Sequence, residues 1–262
     1  MSNHRSQNLM LRIVQQVRLI SRLMIRFGQR EPLVLLVMLL VALSIWAFAE
    51  IADEVIEKET HAFDEAVLLA LRTPGETSNP LGPDWLEELA LDTTALGSAW
   101  VLTFLTLAVT GFLLLKRQRR MAALVVIAVG GAMLLSFTLK RRFDRPRPDL
   151  VPHSVMVQTA SFPSGHATKS AAAYLTLGAL LAQVQVQRRL KLYVLTIAVI
   201  ITLMVGISRV YLGVHWPTDV LAGWVLGAAW ALLCWLIGFW LQQRGHIEQT
   251  DRVAQPCDSS QH

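Results

Sequence analysis

The chain has little charge and almost no cysteine, and each shortage narrows the class of protein. Only 16% of its 262 residues are charged, against about 25% in a typical soluble domain. Hydrophobic residues make up 53%, and the excess lies in long apolar runs that a soluble core does not need. The two cysteines, Cys234 in an apolar run and Cys257 in the polar tail, argue against a disulfide framework. The composition therefore indicates a membrane protein.

Six apolar runs approach the roughly 20 residues that a transmembrane helix needs. The predicted spans are 32–50, 95–115, 121–139, 167–186, 192–207 and 219–241. The fifth is short and would need support from its neighbours. We therefore predict an all-α, polytopic bundle of six transmembrane helices, whose second to sixth spans form a core over residues 95–241.

Basic residues in the short segments between spans predict the orientation. They lie before the first span, after the second and after the fourth: Arg5, Arg12, Arg18, Arg22, Arg26, Arg30; Lys116, Arg117, Arg119, Arg120; Arg188, Arg189, Lys191. An even number of spans places all three groups and the polar tail 242–262 on one side, which should be the cytoplasm. We expect a plasma membrane location, in a bacterium the inner membrane, with both termini cytoplasmic.

The formal net charge of +5 would also suit nucleic-acid binding. However, the basic residues lie between apolar runs, where membrane topology explains them. Within residues 1–31, Arg18, Arg22 and Arg26 recur every four positions among apolar residues. This spacing predicts an amphipathic helix on the cytoplasmic leaflet, with a nucleic-acid arm as the alternative. The expected partner is a membrane and not a nucleic acid.

The segment 50–95 has the opposite charge, with twelve acidic residues and two basic ones. Such a composition suits a loop on the far side of the membrane. Two stretches, Thr73-Pro74-Gly75 and Asn79-Pro80-Leu81-Gly82-Pro83, should break it into short helices. We expect a solvated cap, and a lid that gates substrate is the alternative.

Three further segments carry the residues with chemical potential. In the first, Lys140-Arg141-Arg142-Phe143-Asp144-Arg145-Pro146-Arg147-Pro148, five bases lie in the loop after the third span, on the face that should be poor in them. Clustered cations there suggest a bound anion. The alternative is that lysine and arginine stems extend to the membrane interface, which would explain Arg141 and Arg142.

The second segment is Pro163-Ser164-Gly165-His166, at the start of the fourth span. Gly165 permits close backbone approach, and the free N–H groups of a helix start favour an anion. His166 is placed to donate a proton to a leaving oxygen. The alternative is an ordinary helix start with a solvated histidine.

The third segment, Ser208 to Asp219, is expected to be the loop before the sixth span. His215 should lie exposed in that loop, and Pro217 suits the first turn of the next helix. Asp219 can hold one imidazole nitrogen and leave the other nucleophilic, while Arg209 offers a fork for phosphoryl oxygens. A capped helix with a His–Asp surface pair is the alternative. By span parity all three segments share the non-cytoplasmic face.

Together the pattern Lys-x6-Arg-Pro, Pro-Ser-Gly-His and Ser-Arg-x5-His-x3-Asp resembles the type 2 phosphatidic acid phosphatase superfamily, which includes vanadium haloperoxidases and glucose-6-phosphatase. The resemblance covers about residues 95–241. It implies phosphate binding by Lys140, Arg147, Ser164, Gly165 and Arg209, with His166 as general acid, His215 as nucleophile and Asp219 as its orienting partner. Arg145-Pro146 repeats the Arg-Pro pair two positions early. Only Arg147-Pro148 has the family spacing, so Arg145 has no assigned role.

The expected function is hydrolysis of a lipid phosphate or pyrophosphate through a phosphohistidine, with no metal or cofactor. Undecaprenyl pyrophosphate, phosphatidylglycerol phosphate and phosphatidic acid all fit as substrates. One alternative is a vanadium-dependent haloperoxidase, although relatives with that activity are typically soluble. Another is a non-catalytic phosphate-binding transporter, against which the presence of both histidines and Asp219 argues.

Overall fold

The structure is a computed structural model that describes residues 32–149 and 160–243. The predicted amphipathic segment 1–31 and the polar tail beyond residue 243 lie outside the described residues. The chain has two compact units, residues 1–43 and 44–262. The candidate site described below lies wholly in the second unit.

The described chain is mostly helical, as predicted, with one small hairpin that the prediction missed. The elements are α1 (Pro32–Glu57), α2 (His61–Ala70), β1 (Arg72–Thr73), β2 (Glu76–Pro80), α3 (Asp84–Ala95), α4 (Ala99–Leu115), α5 (Arg119–Phe143), α6 (Gly165–Val184), α7 (Arg188–Tyr211) and α8 (Pro217–Gln243). The hairpin pairs β1 with β2 antiparallel. It reverses at Pro74 and Gly75, because proline presets a turn and Gly75 takes the positive φ of 85° that the turn needs.

Four described helices, α1, α5, α7 and α8, are long and apolar enough to cross a membrane. The pair α3–α4, bent by 47°, raises the number to five if it counts as one span. The expectation of a short fifth span is wrong, because α7 has 24 residues. Its basic first turn and its last turn with Arg209 continue the helix beyond the apolar run, since backbone hydrogen bonding does not require apolar side chains.

Helix α6 lies at the centre of the bundle and packs against α5, α7 and α8. Its contact with α8 is close because two glycines of α8 face it. A Cβ at Gly223 would lie 2.8 Å from the carbonyl oxygen of Ser164, and one at Gly227 would lie 2.6 Å from the Cβ of Ala171. Small residues at this spacing let two helix backbones approach. The amino-terminal ends of α6 and α8 are therefore held side by side.

The acidic segment 50–95 is not simply a solvated cap, and that expectation is wrong for two of its charged residues. Asp64 and Arg72 are both buried. The guanidinium of Arg72 donates to the carbonyl oxygen of Tyr211 at 2.9 Å, and the Tyr211 hydroxyl donates to the carbonyl oxygen of Leu81 at 3.1 Å. These bonds fasten the segment to the end of α7.

Candidate active site

The three sequence motifs meet at one end of the bundle, around a cavity of about 450 Å³. The motif residues that line it are Lys140, Arg147, Gly165, His166, Arg209 and His215. Two of them were expected in loops, and the structure corrects this. Lys140 lies in the last turn of α5 and Arg209 in the last turn of α7. Each helix therefore carries its cation directly to the cavity.

His215 lies between α7 and α8 and is only 1% exposed, so the expectation of an exposed loop is wrong. Its Nδ1 lies 3.4 Å from Oδ2 of Asp219 and 3.4 Å from Oγ of Ser161. Its Nε2 lies 3.3 Å from Nη1 of Arg147, which lines the cavity. The ring is thus held on one edge and presents the other edge to the cavity.

The carboxylate of Asp219 is fully buried and accepts hydrogen bonds from several directions. Oδ2 accepts from the backbone N–H of Trp216 at 2.9 Å and from the hydroxyl of Ser161. Oδ1 accepts from Nη1 of Arg145 at 2.7 Å. These donors stabilise the ionised carboxylate where burial alone would oppose it. Asp219 can therefore fix the orientation of His215 without being solvated.

Burial lowers the pKa of His215 from 6.5 to about 3, although the hydrogen bond to Asp219 and its negative charge act in the opposite direction. The imidazole is consequently neutral at neutral pH. A neutral ring that donates its Nδ1–H to Asp219 keeps the lone pair on Nε2. This is the protonation state that a nucleophilic histidine needs.

Arg145, to which the sequence assigned no role, bridges two buried carboxylates. Its Nη2 lies 2.7 Å from Oδ2 of Asp64, and its Nη1 lies 2.7 Å from Oδ1 of Asp219. Asp64 also accepts from the backbone N–H of Thr218 at 2.9 Å and from the Thr218 hydroxyl at 2.7 Å. Helix α2 is thereby connected to the first turn of α8, where Asp219 lies.

Two of the cations lining the cavity are positioned by neutral oxygen atoms. Nζ of Lys140 donates to the carbonyl oxygen of Ala160 at 2.7 Å. Nη1 of Arg209 donates to the hydroxyl of Thr94 at 3.0 Å. Neutral acceptors hold these side chains in place without cancelling their charge, so both cations remain available to an anion in the cavity.

Three consecutive residues at the start of α6 differ in how they contribute to the cavity. The hydroxyl of Ser164 caps the helix, accepting from a first-turn N–H at 3.5 Å, and the buried side chain does not line the cavity. Gly165 does line it, and a Cβ there would lie 3.2 Å from Oγ of Ser136 and 3.4 Å from Cε of Lys140. His166, half-buried, follows on the cavity side. The helix start therefore brings backbone and an imidazole close to Lys140.

Several polar residues at or beside the site could not be assigned from the motifs. Among them are Asp64, Thr94, Ser161 and Lys169. Asp64 was indistinguishable among the twelve acids of its segment. Lys169 carried a signal that was overlooked, because it follows His166 by three positions and so shares its helix face.

Among residues 32–149 and 160–243, no three His, Cys, Asp or Glu side chains are grouped to hold a metal ion. The described donors at the cavity are cationic or neutral. Reaction without a metal remains a prediction, to be tested directly.

Comparisons with known proteins identify the family to which the chain is similar. The family model of the PAP2 superfamily matches residues 100–243. Phosphatidylglycerophosphatase B from Bacillus subtilis is 37% identical over 55% of this chain and 70% of its own length. An undecaprenyl-diphosphatase from Sulfolobus acidocaldarius is 33% identical over 48% of this chain and 59% of its own length.

A solved structure is also similar. The transmembrane PAP2-type phosphatidylglycerolphosphate phosphatase from Bacillus subtilis superposes with a TM-score of 0.69 at 29% identity, covering 80% of this chain and 98% of that one. The fold, the motifs and these matches define a multi-pass helical membrane protein of a phosphatase family. The chain belongs to the PAP2 superfamily, which confirms the resemblance seen in the sequence.

Proposed function

We propose that the chain hydrolyses a lipid phosphate or lipid pyrophosphate through a phosphohistidine formed on His215. One observation carries this proposal. His215 is held through Nδ1 by Asp219, while its Nε2 edge faces a cavity lined by cations. A positioned nucleophile beside positive charge is the arrangement that phosphoryl transfer requires.

In the first step, Nε2 of His215 bonds to phosphorus and the bond from phosphorus to the lipid oxygen breaks. The electron pair leaves with that oxygen, and His166 supplies its proton. In the second step, water attacks the phosphohistidine, His166 takes the water proton, and inorganic phosphate is released. The negative charge of bound phosphate favours the protonated form of His166 before the first step.

The role of the remaining site residues is to bind the phosphoryl group. Lys140, Arg147 and Arg209 stabilise the charge that spreads over its equatorial oxygens. Gly165, which lines the cavity at the start of α6, adds a backbone N–H there. The N–H of Ser164 donates to the carbonyl oxygen of Asp219 at 2.9 Å and holds this helix start against α8. Because these groups are fixed by the fold, they need little rearrangement during the reaction.

The cavity also has an apolar side, which supports a lipid substrate. Ala95 and Ala99 line it at the α3–α4 junction, and Met133 and Phe137 line it from α5. Phe137 is 57% exposed, although it also lines the cavity. An amphiphile could place its headgroup among the cations and its chain along these residues. Undecaprenyl pyrophosphate, phosphatidylglycerol phosphate and phosphatidic acid all have this form.

The proposal includes six spans, with the site on the non-cytoplasmic face and both termini in the cytoplasm. Helix α6 corresponds to the predicted span 167–186, but it is not among the helices counted above as long and apolar enough to cross a membrane. Its 20 residues would extend about 30 Å, enough to cross the hydrocarbon core. Surrounded by α5, α7 and α8, it does not need an apolar exterior.

The test is a panel of lipid phosphates assayed with the purified protein in detergent or vesicles. Release of inorganic phosphate from at least one of undecaprenyl pyrophosphate, phosphatidylglycerol phosphate and phosphatidic acid is expected. Failure on all three by a protein that remains folded would contradict the proposal.

A further inference from the structure

A fourth cation, Lys169, lines the cavity beyond those of the sequence motifs. It lies in α6, three residues after His166 and four after Gly165, so its side chain follows the same face of the helix. A Cβ placed on Gly165 would lie 3.9 Å from Cε of Lys169 and 3.4 Å from Cε of Lys140. Both lysine ends therefore approach the start of α6.

The charge of Lys169 is not offset by a nearby acid. Among the described residues its Nζ has no hydrogen-bond or ion-pair partner, and no carboxylate lines the cavity. Lys169 is also within electrostatic reach of Arg209. The cavity thus gathers Lys140, Arg147, Lys169 and Arg209 around one space, an arrangement of like charges that an anion would stabilise.

A monophosphate supplies only part of the charge that this cluster can balance. A phosphate monoester carries about −1.5 to −2 at neutral pH, whereas a lipid diphosphate carries one more ionised oxygen. In the proposed reaction His215 attacks the terminal phosphorus, so the second phosphate of a diphosphate belongs to the leaving group. That leaving group must lie beside His166, and Lys169 is the cation one helix turn further along the same face.

We propose that Lys169 forms a subsite for a second, adjacent phosphate and adapts the enzyme to lipid diphosphates. This inference rests on the proposed function. Nε2 of His215 bonds to the terminal phosphorus, and the bond from that phosphorus to the bridging oxygen breaks. The electron pair leaves with the bridging oxygen, now part of a lipid monophosphate whose charge Lys169 stabilises. Water then cleaves the phosphorus–nitrogen bond and releases inorganic phosphate.

The experiment compares Lys169→Met and Lys169→Arg with the wild type on farnesyl monophosphate and farnesyl diphosphate, which share one chain. Loss of one charge-assisted contact should lower the diphosphate-to-monophosphate ratio of kcat/KM about 10- to 100-fold in Lys169→Met. Lys169→Arg should retain most of that ratio, because it keeps the charge. Lys191→Met makes the same substitution at an exposed lysine in the first turn of α7 and should leave the ratio unchanged.

Two further substrates identify the source of the second phosphate. Phosphatidylglycerol phosphate carries two phosphates separated by glycerol, and phosphatidic acid carries one. If Lys169→Met changes the ratio of kcat/KM only for phosphatidylglycerol phosphate and phosphatidic acid, the proposal of a subsite for an adjacent phosphate is wrong. Equal losses on farnesyl mono- and diphosphate, or no loss on either, would also overturn it. If the wild type hydrolyses no lipid phosphate at all, the proposed function itself fails, which is a different result.

Discussion

Arg145 and Asp64 form an ion pair in which the carboxylate is fully buried and Nη2 lies 2.7 Å from Oδ2. The same guanidinium reaches Oδ1 of Asp219, which in turn orients His215. Asp64, a residue of the acidic segment, therefore contacts Arg145, which in turn contacts Asp219, the partner of the proposed nucleophile. The acidic segment 50–95, which its composition predicted to be a solvated cap, therefore contributes to the geometry of the site.

Asp64→Asn should lower activity without removing any group that touches substrate. The change leaves Arg145 with one carboxylate instead of two and weakens the hold on Thr218, at a cost of up to about 3–5 kcal/mol in folding free energy. We expect kcat to fall about tenfold or more while KM stays within about threefold. Kinetics of purified protein measure both. Glu65→Gln, at the neighbouring half-exposed acid paired with His61, is the control. Equal effects of the two variants would show that Asp64 has no special role.

Replacing the proposed nucleophile should abolish the covalent intermediate. Because His215 is buried, His215→Gln is preferable to alanine, since it preserves volume and leaves no cavity. Rapid acid-free quenching with labelled substrate should trap phosphate on the wild type and none on His215→Gln. His166→Gln should retain label on substrates with good leaving groups, because its second step is also slowed. Undiminished label on His215→Gln would exclude the assignment.

Removal of divalent metal should leave activity intact. The cations Lys140, Arg147 and Arg209 supply the electrostatic stabilisation that a metal provides in other phosphatases. Activity in excess EDTA should stay within about twofold of the untreated enzyme, and orthovanadate should inhibit as a five-coordinate mimic. Loss of activity with EDTA and recovery with Mg²⁺ would contradict the mechanism.

The sidedness of the site can be tested with single cysteines. Ser78 lies exposed in β2, on the same side as the cavity in the proposed topology, and Gln118 lies between α4 and α5 on the other. In a background lacking Cys234 and Cys257, a membrane-impermeant maleimide should label Ser78→Cys in intact cells or spheroplasts. Gln118→Cys should react only after lysis. The reverse pattern would place the chemistry in the cytoplasm.

Stability should depend on pH through His215. Its pKa is about 3 in the folded protein and about 6.5 when unfolded, so the unfolded state binds more protons between those values. Stability should therefore rise from pH 3 to pH 6.5, by up to about 1.4 kcal/mol per pH unit. The fall in Tm between pH 7 and pH 5 should be smaller in His215→Gln than in the wild type. Identical falls would show that this histidine is not buried in its neutral form.

Local patterns alone determined much of this protein. Apolar runs marked the helices, because burial of a backbone in lipid requires long continuous hydrophobic segments. Motif spacing identified the family, since Lys140 and Arg147, and likewise His215 and Asp219, stand at fixed spacings within their own short segments. Pro217 correctly marked the start of α8. These features depend on residues close together in sequence, so no folded structure was needed to find them.

Other features appeared only when distant segments came together. Nothing near Asp64 distinguishes it from the other acids of its segment, and its partner Arg145 lies 81 positions away. The burial of His215 depends on the packing around it, and the role of Lys169 depends on which side chains share its cavity. Electrostatic environment and burial are set by all neighbours in space. Sequence therefore determined which chemistry is present, and tertiary packing decided which charges act together in it.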